Sequence, residues 1–319
     1  MSRPLTLAAH RAPAIAATLC GVLTFSANPA RADEATARPT SSSTSSEPDA
    51  WPEAIPRVEW WEWAGSVALL GGSLALRFGV DVSGEPNWKG GILFDEAAHD
   101  AFFVDSPHLF NSWRDLGDIL YMSSFGWSVV DPLIAGFTND WDTALQMTGM
   151  NLEAFAIYSA SISLAQLAVR RERPTTRLCS DPTLSDDLGI SCGEDSANKN
   201  RSFIGGHAGT AATAATLTCI HHAELDLWGP QADALPCVTM WLSTATVFVS
   251  RTVTAQHYLT DNLLGVGVGV ASGIVPYFLH YHRANPFPTV DASDGIPRPT
   301  SAMITPTTHG AMVQLGGLL

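Results

Sequence analysis

Charge is scarce in this chain, and basic charge scarcest. Only 15% of its 319 residues are Asp, Glu, Lys or Arg, against roughly 25% in an average soluble domain. Just 17 Lys and Arg stand against 31 Asp and Glu, for a formal charge of -14. Nonspecific binding to nucleic acid needs basic groups to meet phosphates, so that class is set aside. Alternating polar and apolar runs and internal repeats are also lacking, which leaves no basis for a sheet or a repeat array. What the chain has is apolar: 46% hydrophobic and 9% aromatic residues, with a mean hydropathy of +0.11. That excludes a mostly disordered protein, and it is low for a chain made only of membrane spans.

The two ends read differently from the middle. Met1 to Ala32 carries Arg3 and Arg11, an apolar run from Ala12 to Ala27, and Ala30-Arg31-Ala32, the three parts of a secretory signal. Cleavage leaves Asp33 as the first residue. The run is shorter than the ~20 residues a bilayer needs, which counts against an uncleaved anchor. Cys20 lacks the small residue before it that a lipoprotein signal has. Residues 33–56 are too poor in large apolar side chains to offset their ordering entropy and read as a disordered tether. Residues 284–319, rich in Pro, Thr and Gly, read as a flexible tail.

Between them, residues 57–283 read as helices. Apolar stretches of helical composition run over Trp60–Val80, Leu116–Phe137, Ala144–Arg170, His207–His222, Cys237–Arg251 and Thr260–His280, with a shorter amphipathic piece at Phe94–Phe103. The fold class is therefore all-α, a bundle of six or seven helices. A long polar connection, Pro174 to Ser202, has the length usually kept for functional loops.

Membrane embedding stays open at this stage. Trp60–Val80 and Thr260–Tyr281 are long enough to span, whereas Asp118, Asp131, Asn151 and Glu153 sit inside other candidate spans. After signal removal four cysteines remain, Cys179, Cys192, Cys219 and Cys237, an even number that suggests two disulfides in an exported chain. The plain alternative for Cys219 and Cys237 is a pair of small buried hydrophobes. If both pairs form, both ends of the bundle face an oxidising compartment.

Chemistry concentrates in three blocks: "QLAVRRERP" from Gln166 to Pro174, "SFIGGHAGT" from Ser202 to Thr210, and "SRTVTAQHYLTD" from Ser250 to Asp261. His257 and Asp261 are four residues apart, so on a helix the carboxylate can hold the imidazole and leave its other nitrogen free as nucleophile or base. Arg173 and Arg251 offer bidentate donors for phosphate oxygens. Gly205 and Gly206 open a helix, where backbone N–H groups and the dipole favour an anion. His207, just behind them, is placed to protonate a leaving oxygen. Together these make a phosphate site with one histidine as nucleophile and another as acid.

The three blocks, in this order and on helices, resemble the signature of the type 2 phosphatidic acid phosphatase and vanadium haloperoxidase superfamily: K-x6-R-P, then P-S-G-H, then S-R-x5-H-x3-D. Ser250, Arg251, His257 and Asp261 match the third block at every fixed position. The resemblance covers roughly Trp60 to Arg283. It departs twice, because the lysine position falls on Gln166 and the proline-serine pair on Ile204 and Gly205. Each change removes a phosphate donor, and losing one transition-state donor costs roughly 10² to 10³ in rate.

The resemblance implies a phosphomonoester hydrolase, acting on a lipid or isoprenoid phosphate or another phosphorylated small molecule. His257 would form a phosphohistidine, Asp261 would hold its ring and His207 would protonate the leaving alcohol. Arg173, Arg251, Gly205, Gly206 and Gln166 would bind the phosphate. No metal or other cofactor is expected; vanadate would enter only if the chain were a haloperoxidase, which the missing lysine disfavours. The two departures also allow a degenerate member that binds phosphate or lipid headgroups without turnover. The chain is expected to be exported, either periplasmic or membrane-associated with its site on the extracytoplasmic side. Other charged positions get plainer readings. Arg170 and Arg171 read as charges at a helix C-terminus, and Asp95, Glu96, His99 and Asp100 as a solvated helix face. His221, His222 and Glu224 read as groups drawn to a helix end.

Overall fold

The computed structural model describes residues 51–52, 54–82, 84–192, 198–229, 232–282, 301–307 and 310–316. The expected signal and most of the tether lie outside these residues. Six long helices carry the fold: α1 (Trp60–Gly79), α3 (Pro107–Thr138), α4 (Trp141–Val169), α6 (Gly206–Leu225), α7 (Ala234–Val253) and α8 (Leu259–Pro276). Two short ones, α2 (Asp95–Phe102) and α5 (Pro182–Asp187), lie in the connections, and a π-helical turn, Tyr277–Tyr281, follows α8. Residues 60–282 are thus the expected all-α bundle.

Local chemistry explains where the helices stop. Asp140 caps α4 by accepting hydrogen bonds from the backbone N–H groups of Asp142 and Thr143, satisfying donors that a helix start leaves unpaired. At the other end Arg170 turns left-handed, with φ of 46°, and the chain runs extended through Arg171 to Arg173 before Pro174 begins a 3-10 turn, Pro174–Ser180.

α6 is the central element. Ala208, Ala211, Ala212, Ala214 and Ala215 are all fully buried, and small side chains let neighbouring backbones come close. The approach is tightest against α8: a Cβ on Gly265 would fall 2.2 Å from the Gly205 carbonyl oxygen, and one on Gly269 2.2 Å from that of Gly209. Only glycine permits this contact, and it sets the start of α6 directly beside the start of α8.

Three features differ from the sequence expectation. The ordered body begins before Pro56: Trp51 and Ile55 are buried with Val58, Met150 and Tyr281, and Trp51 Nε1 donates to the Ile55 carbonyl at 2.8 Å. Two large apolar side chains suffice to dock this end of the tether onto α4 and the π-helical turn. Second, the polar connection after Pro174 holds the 3-10 turn and α5, whose N-cap Asp181 accepts from Thr183 and Leu184. Third, within the stretch read as a tail, β1 (Ser301–Thr307) and β2 (Gly310–Gly316) pair as an antiparallel hairpin, Ser301 opposite Gly316. Pro306 inside β1 obscures a strand in the sequence.

Both disulfides are formed, Cys179–Cys192 in the connection after Arg173 and Cys219–Cys237 between α6 and α7. Cys219 lies about 20 Å along α6 from its first residue, nearer the far end of the bundle. Among the described residues, Trp141–Val169 and Leu259–Tyr281 are long and apolar enough to cross a membrane. The outer faces of α1 and α3 are apolar as well, with Leu74, Phe78, Ile119, Met122, Phe125 and Val129 exposed.

Candidate active site

The three sequence blocks meet at one cavity of about 410 Å³. Arg173, Gly206, His207 and His257 line it, with Arg77, Tyr121 and Gln166 at the same polar end. Leu70, Leu74, Phe78, Met122, Phe125, Phe155 and Ile162 form most of the rest of its wall, with the hydroxyl-bearing Tyr158, Ser159, Ser163 and Thr210 among them. Arg251 and Gly205 stand behind the lining rather than in it.

His257 lies in the turn between α7 and α8. The turn closes on Arg251, whose carbonyl accepts from the N–H groups of Gln256 at 3.0 Å and His257 at 3.2 Å. Ala255 adopts a left-handed φ of 51° to complete it. The imidazole is 2% exposed, and its Nδ1 sits 2.7 Å from the Ser202 carbonyl oxygen. A carbonyl only accepts, so Nδ1 carries the hydrogen and Nε2 keeps its lone pair. Burial, and then the nearby Arg173 charge, holds the imidazole well below its usual pKa, so it is neutral at neutral pH.

The expected bond between Asp261 and His257 is not made. α8 begins at Leu259, so His257 precedes the helix and the four-residue spacing does not put the two on one face. The carboxylate of Asp261, fully buried, instead accepts from Arg171 Nη1 at 2.5 Å and from the Ser202 hydroxyl at 2.6 Å. It acts on His257 at one remove, by fixing the residue whose carbonyl holds the ring. Burial raises its pKa against the pull of Ser202 and Arg171.

Arg171 is likewise not a helix-end charge. It is fully buried, between the rings of Trp88 and Tyr258 at 4.3 and 4.0 Å, where a guanidinium gains from the ring faces. Its second partner is Asp95, 2.8 Å from Nη2. Asp95 is buried rather than on a solvated face, and it also accepts from the N–H and hydroxyl of Thr260. Glu96 does stay at the surface, paired with Arg177. Two carboxylates on one guanidinium pin α2, α8 and the strand-like run after α4 together beneath the site.

On the opposite wall, His207 occupies the first turn of α6 and packs against Tyr121, ring centroids 4.4 Å apart and planes tilted by 55°. Its Nε2 is 3.5 Å from Oδ1 of Asp118 on α3, and the same oxygen accepts a short hydrogen bond from Arg251 Nη2. Burial outweighs Asp118 and brings His207 down to about 4, with Arg251 and Arg173 adding to the fall. Asp118, holding the hydrogen bond from His207, is lowered to about 2.

The anion donors divide into those offered and those spent. Arg173 Nη1 donates to Gln256 at 2.9 Å, while its Nε–H and that of Arg251 are buried without a partner. Burial and the charges of Arg77 and Arg251 lower Arg173 to about 10, and an oxyanion would relieve all three. Gly206 and His207 open α6, where N–H groups have no carbonyl four residues back. Gly205 N–H, by contrast, donates to the Asp261 carbonyl at 2.9 Å. Gln166 is partly spent: Oε1 accepts from Arg77 Nη1 at 2.9 Å, and Nε2 uses one of its two N–H groups on the Ile204 carbonyl at 3.2 Å. The Gly205 N–H is not a direct phosphate donor here.

His221 and His222 are structural. His221 lies between Tyr281 and Asn151, and His222 between Asp233 and Asp131, all buried pairings rather than helix-end charges. Glu62, Glu153 and His280 bring ligand atoms within 4.8 Å of one another. There, Glu153 pairs with His280 and Glu62 closes the capping box of α1, so each already has a partner.

With this geometry in hand the comparison with known families is direct. Residues 151–285 match the PAP2 superfamily, a stretch that takes in all three motif blocks and supports membership of that superfamily. A search of curated proteins and a search of solved structures each return no match. Arg77, Asp95 and Asp118 lie before the matched stretch, so no family motif flags them. Asp118 did leave one trace in the sequence, a carboxylate inside a largely apolar helix.

Proposed function

We propose that the chain is a phosphomonoester hydrolase working through a phosphohistidine on His257. One observation carries this reading: the Ser202 carbonyl holds the proton on Nδ1, and His257 shares a cavity with Arg173 and His207. The bare Nε2 attacks phosphorus in line with the ester oxygen. As the P–N bond forms, the P–O bond breaks, and His207 gives its proton to the departing oxygen. His207, now neutral, takes a proton from water as that water attacks phosphorus, and the P–N electron pair returns to Nε2. Arg173 and the first N–H groups of α6 stabilise the equatorial oxygens throughout, and Arg251 adds its charge from behind the cavity wall. Asp118 keeps a negative charge beside His207, and a bound dianion offsets the guanidinium charges that depress it.

The apolar wall supports an ester with a hydrocarbon tail, of lipid or isoprenoid type. Leu74, Phe78, Met122 and Phe125 line the cavity and are also exposed on α1 and α3, so a tail can continue from the site along the bundle's flank. The two disulfides favour an exported chain in an oxidising compartment. Because Cys219–Cys237 lies toward the far end, they favour a bundle held against lipid on its apolar flank over one threaded through it. The second reading, phosphate binding without turnover, draws on Gln166 and Gly205, which offer the anion neither the cation nor the hydroxyl of the signature.

Phosphate release from phosphatidate in mixed micelles and from a soluble chromogenic ester tests the proposal, with His257→Ala as control. Multiple turnovers by the unmodified chain alone are expected. Equal background from both proteins, with phosphate still bound, would leave the binding reading.

A further inference from the structure

The site lacks the lysine expected at position 166, yet it does not lack a cation there. Arg77, on α1, reaches across to the side chain of Gln166, 2.9 Å from Nη1 to Oε1, and lines the same cavity as Arg173, His207 and His257. The orientation of Gln166 follows from its partners. A guanidinium can only donate and a carbonyl can only accept, so Oε1 faces Arg77 and Nε2 faces Ile204. Gln166 is therefore a rod, fixed at one end to the backbone before α6 and at the other to the guanidinium. Arg77 has five N–H groups and this bond uses one.

We propose that Arg77 is a catalytic residue that binds the phosphoryl oxygens, and that Gln166 positions it. Resting on the phosphohydrolase reading above, the inference assigns to α1 a charge that the family signature places on α4. The two positions are coupled by electrostatics. A lysine at 166 would set an ammonium against the Arg77 guanidinium at hydrogen-bond distance, and like charges in a partly buried site repel strongly. Glutamine accepts where lysine cannot. Arginine at 77 and glutamine at 166 thus make one arrangement, and lysine at 166 with a neutral residue at 77 makes another. Arg77 also acts on Arg173 as a nearby positive charge, as expected of two guanidiniums facing one anion.

The test is a double-mutant cycle on the full chain, read by kcat and KM on a chromogenic phosphate ester and by calorimetric binding of vanadate. Arg77→Ala should lower kcat/KM by roughly 10² to 10³, mostly in kcat, and weaken vanadate binding at least tenfold. Gln166→Lys alone should also lower the rate. Combining it with Arg77→Ala should recover at least tenfold over Arg77→Ala, a rescue only a folded protein can give. A merely structural Arg77 predicts no rescue. Arg77→Ala within twofold of the unmodified chain in both rate and vanadate affinity would overturn the inference, as would Gln166→Lys raising the rate by itself. If the unmodified chain does not turn over, the hydrolase reading fails separately. The vanadate arm then still decides: a tenfold loss in Arg77→Ala supports Arg77 as an anion ligand, and an unchanged affinity overturns it.

Discussion

The Nδ1 of His257 lies 2.7 Å from the carbonyl oxygen of Ser202, and the Ser202 hydroxyl lies 2.6 Å from Asp261. Asp261 thus governs the imidazole through Ser202, with Arg171 and Asp95 locking the carboxylate from behind. This relay separates two effects that a direct histidine-aspartate contact would merge.

Ser202→Ala removes the hydroxyl but keeps the carbonyl that orients His257. Activity should fall less than tenfold and stability by about 1 to 3 kcal/mol, the cost of one hydrogen bond to a charged group. Asp261→Ala strands the buried Arg171 on one carboxylate and should cost about 3 to 5 kcal/mol. Urea denaturation of both variants checks the ordering.

Gly205→Ser, which would restore the family's serine, should not restore a phosphate donor. A Cβ there would fall 2.5 Å from Asn262 Oδ1 and 3.0 Å from Asn262 Cα, so α6 and α8 must separate. Overpacking of this kind costs about 1 to 3 kcal/mol. A lowered melting temperature and unimproved turnover are the expected results.

Much of this was legible in the sequence and some was not, for identifiable reasons. The long helices stand out because their apolar stretches are continuous, and the blocks at Arg173, His207 and His257 stand out because their spacings are fixed. The partner of Asp261 was misread because it depends on whether the helix starts before or after His257, and helix ends are uncertain by a residue or two. Arg171 and Asp95 looked like surface charges because the pairing that buries them joins residues 76 apart. Arg77 was invisible for the same reason: nothing local announces that α1 delivers a guanidinium to Gln166.

Anion binding should take up protons. In the free protein His207 titrates near 4, so it is neutral at pH 6. A bound dianion offsets Arg251 and Arg173 and raises it. Calorimetry of vanadate binding at pH 6 in buffers of different ionisation enthalpy should therefore show more proton uptake in the unmodified chain than in His207→Gln.

Acid should weaken the fold early. His207 and His221 titrate near 4 and 3 when folded, against 6.5 for the free side chain. Below pH 6.5 the unfolded chain binds protons that the folded chain refuses. Stability from these groups is complete above 6.5 and declines toward pH 4, by at most about 1.4 kcal/mol per pH unit for each. Urea midpoints between pH 7 and 4.5 should trace this slope, and His221→Asn should flatten it.

The most direct measurement is capture of the covalent intermediate. Rapid quenching into base during turnover, followed by peptide mass spectrometry, should find one phosphoryl group on the peptide that contains His257, and none in His257→Ala. Turnover without that adduct, or an adduct on a different residue, would contradict the account.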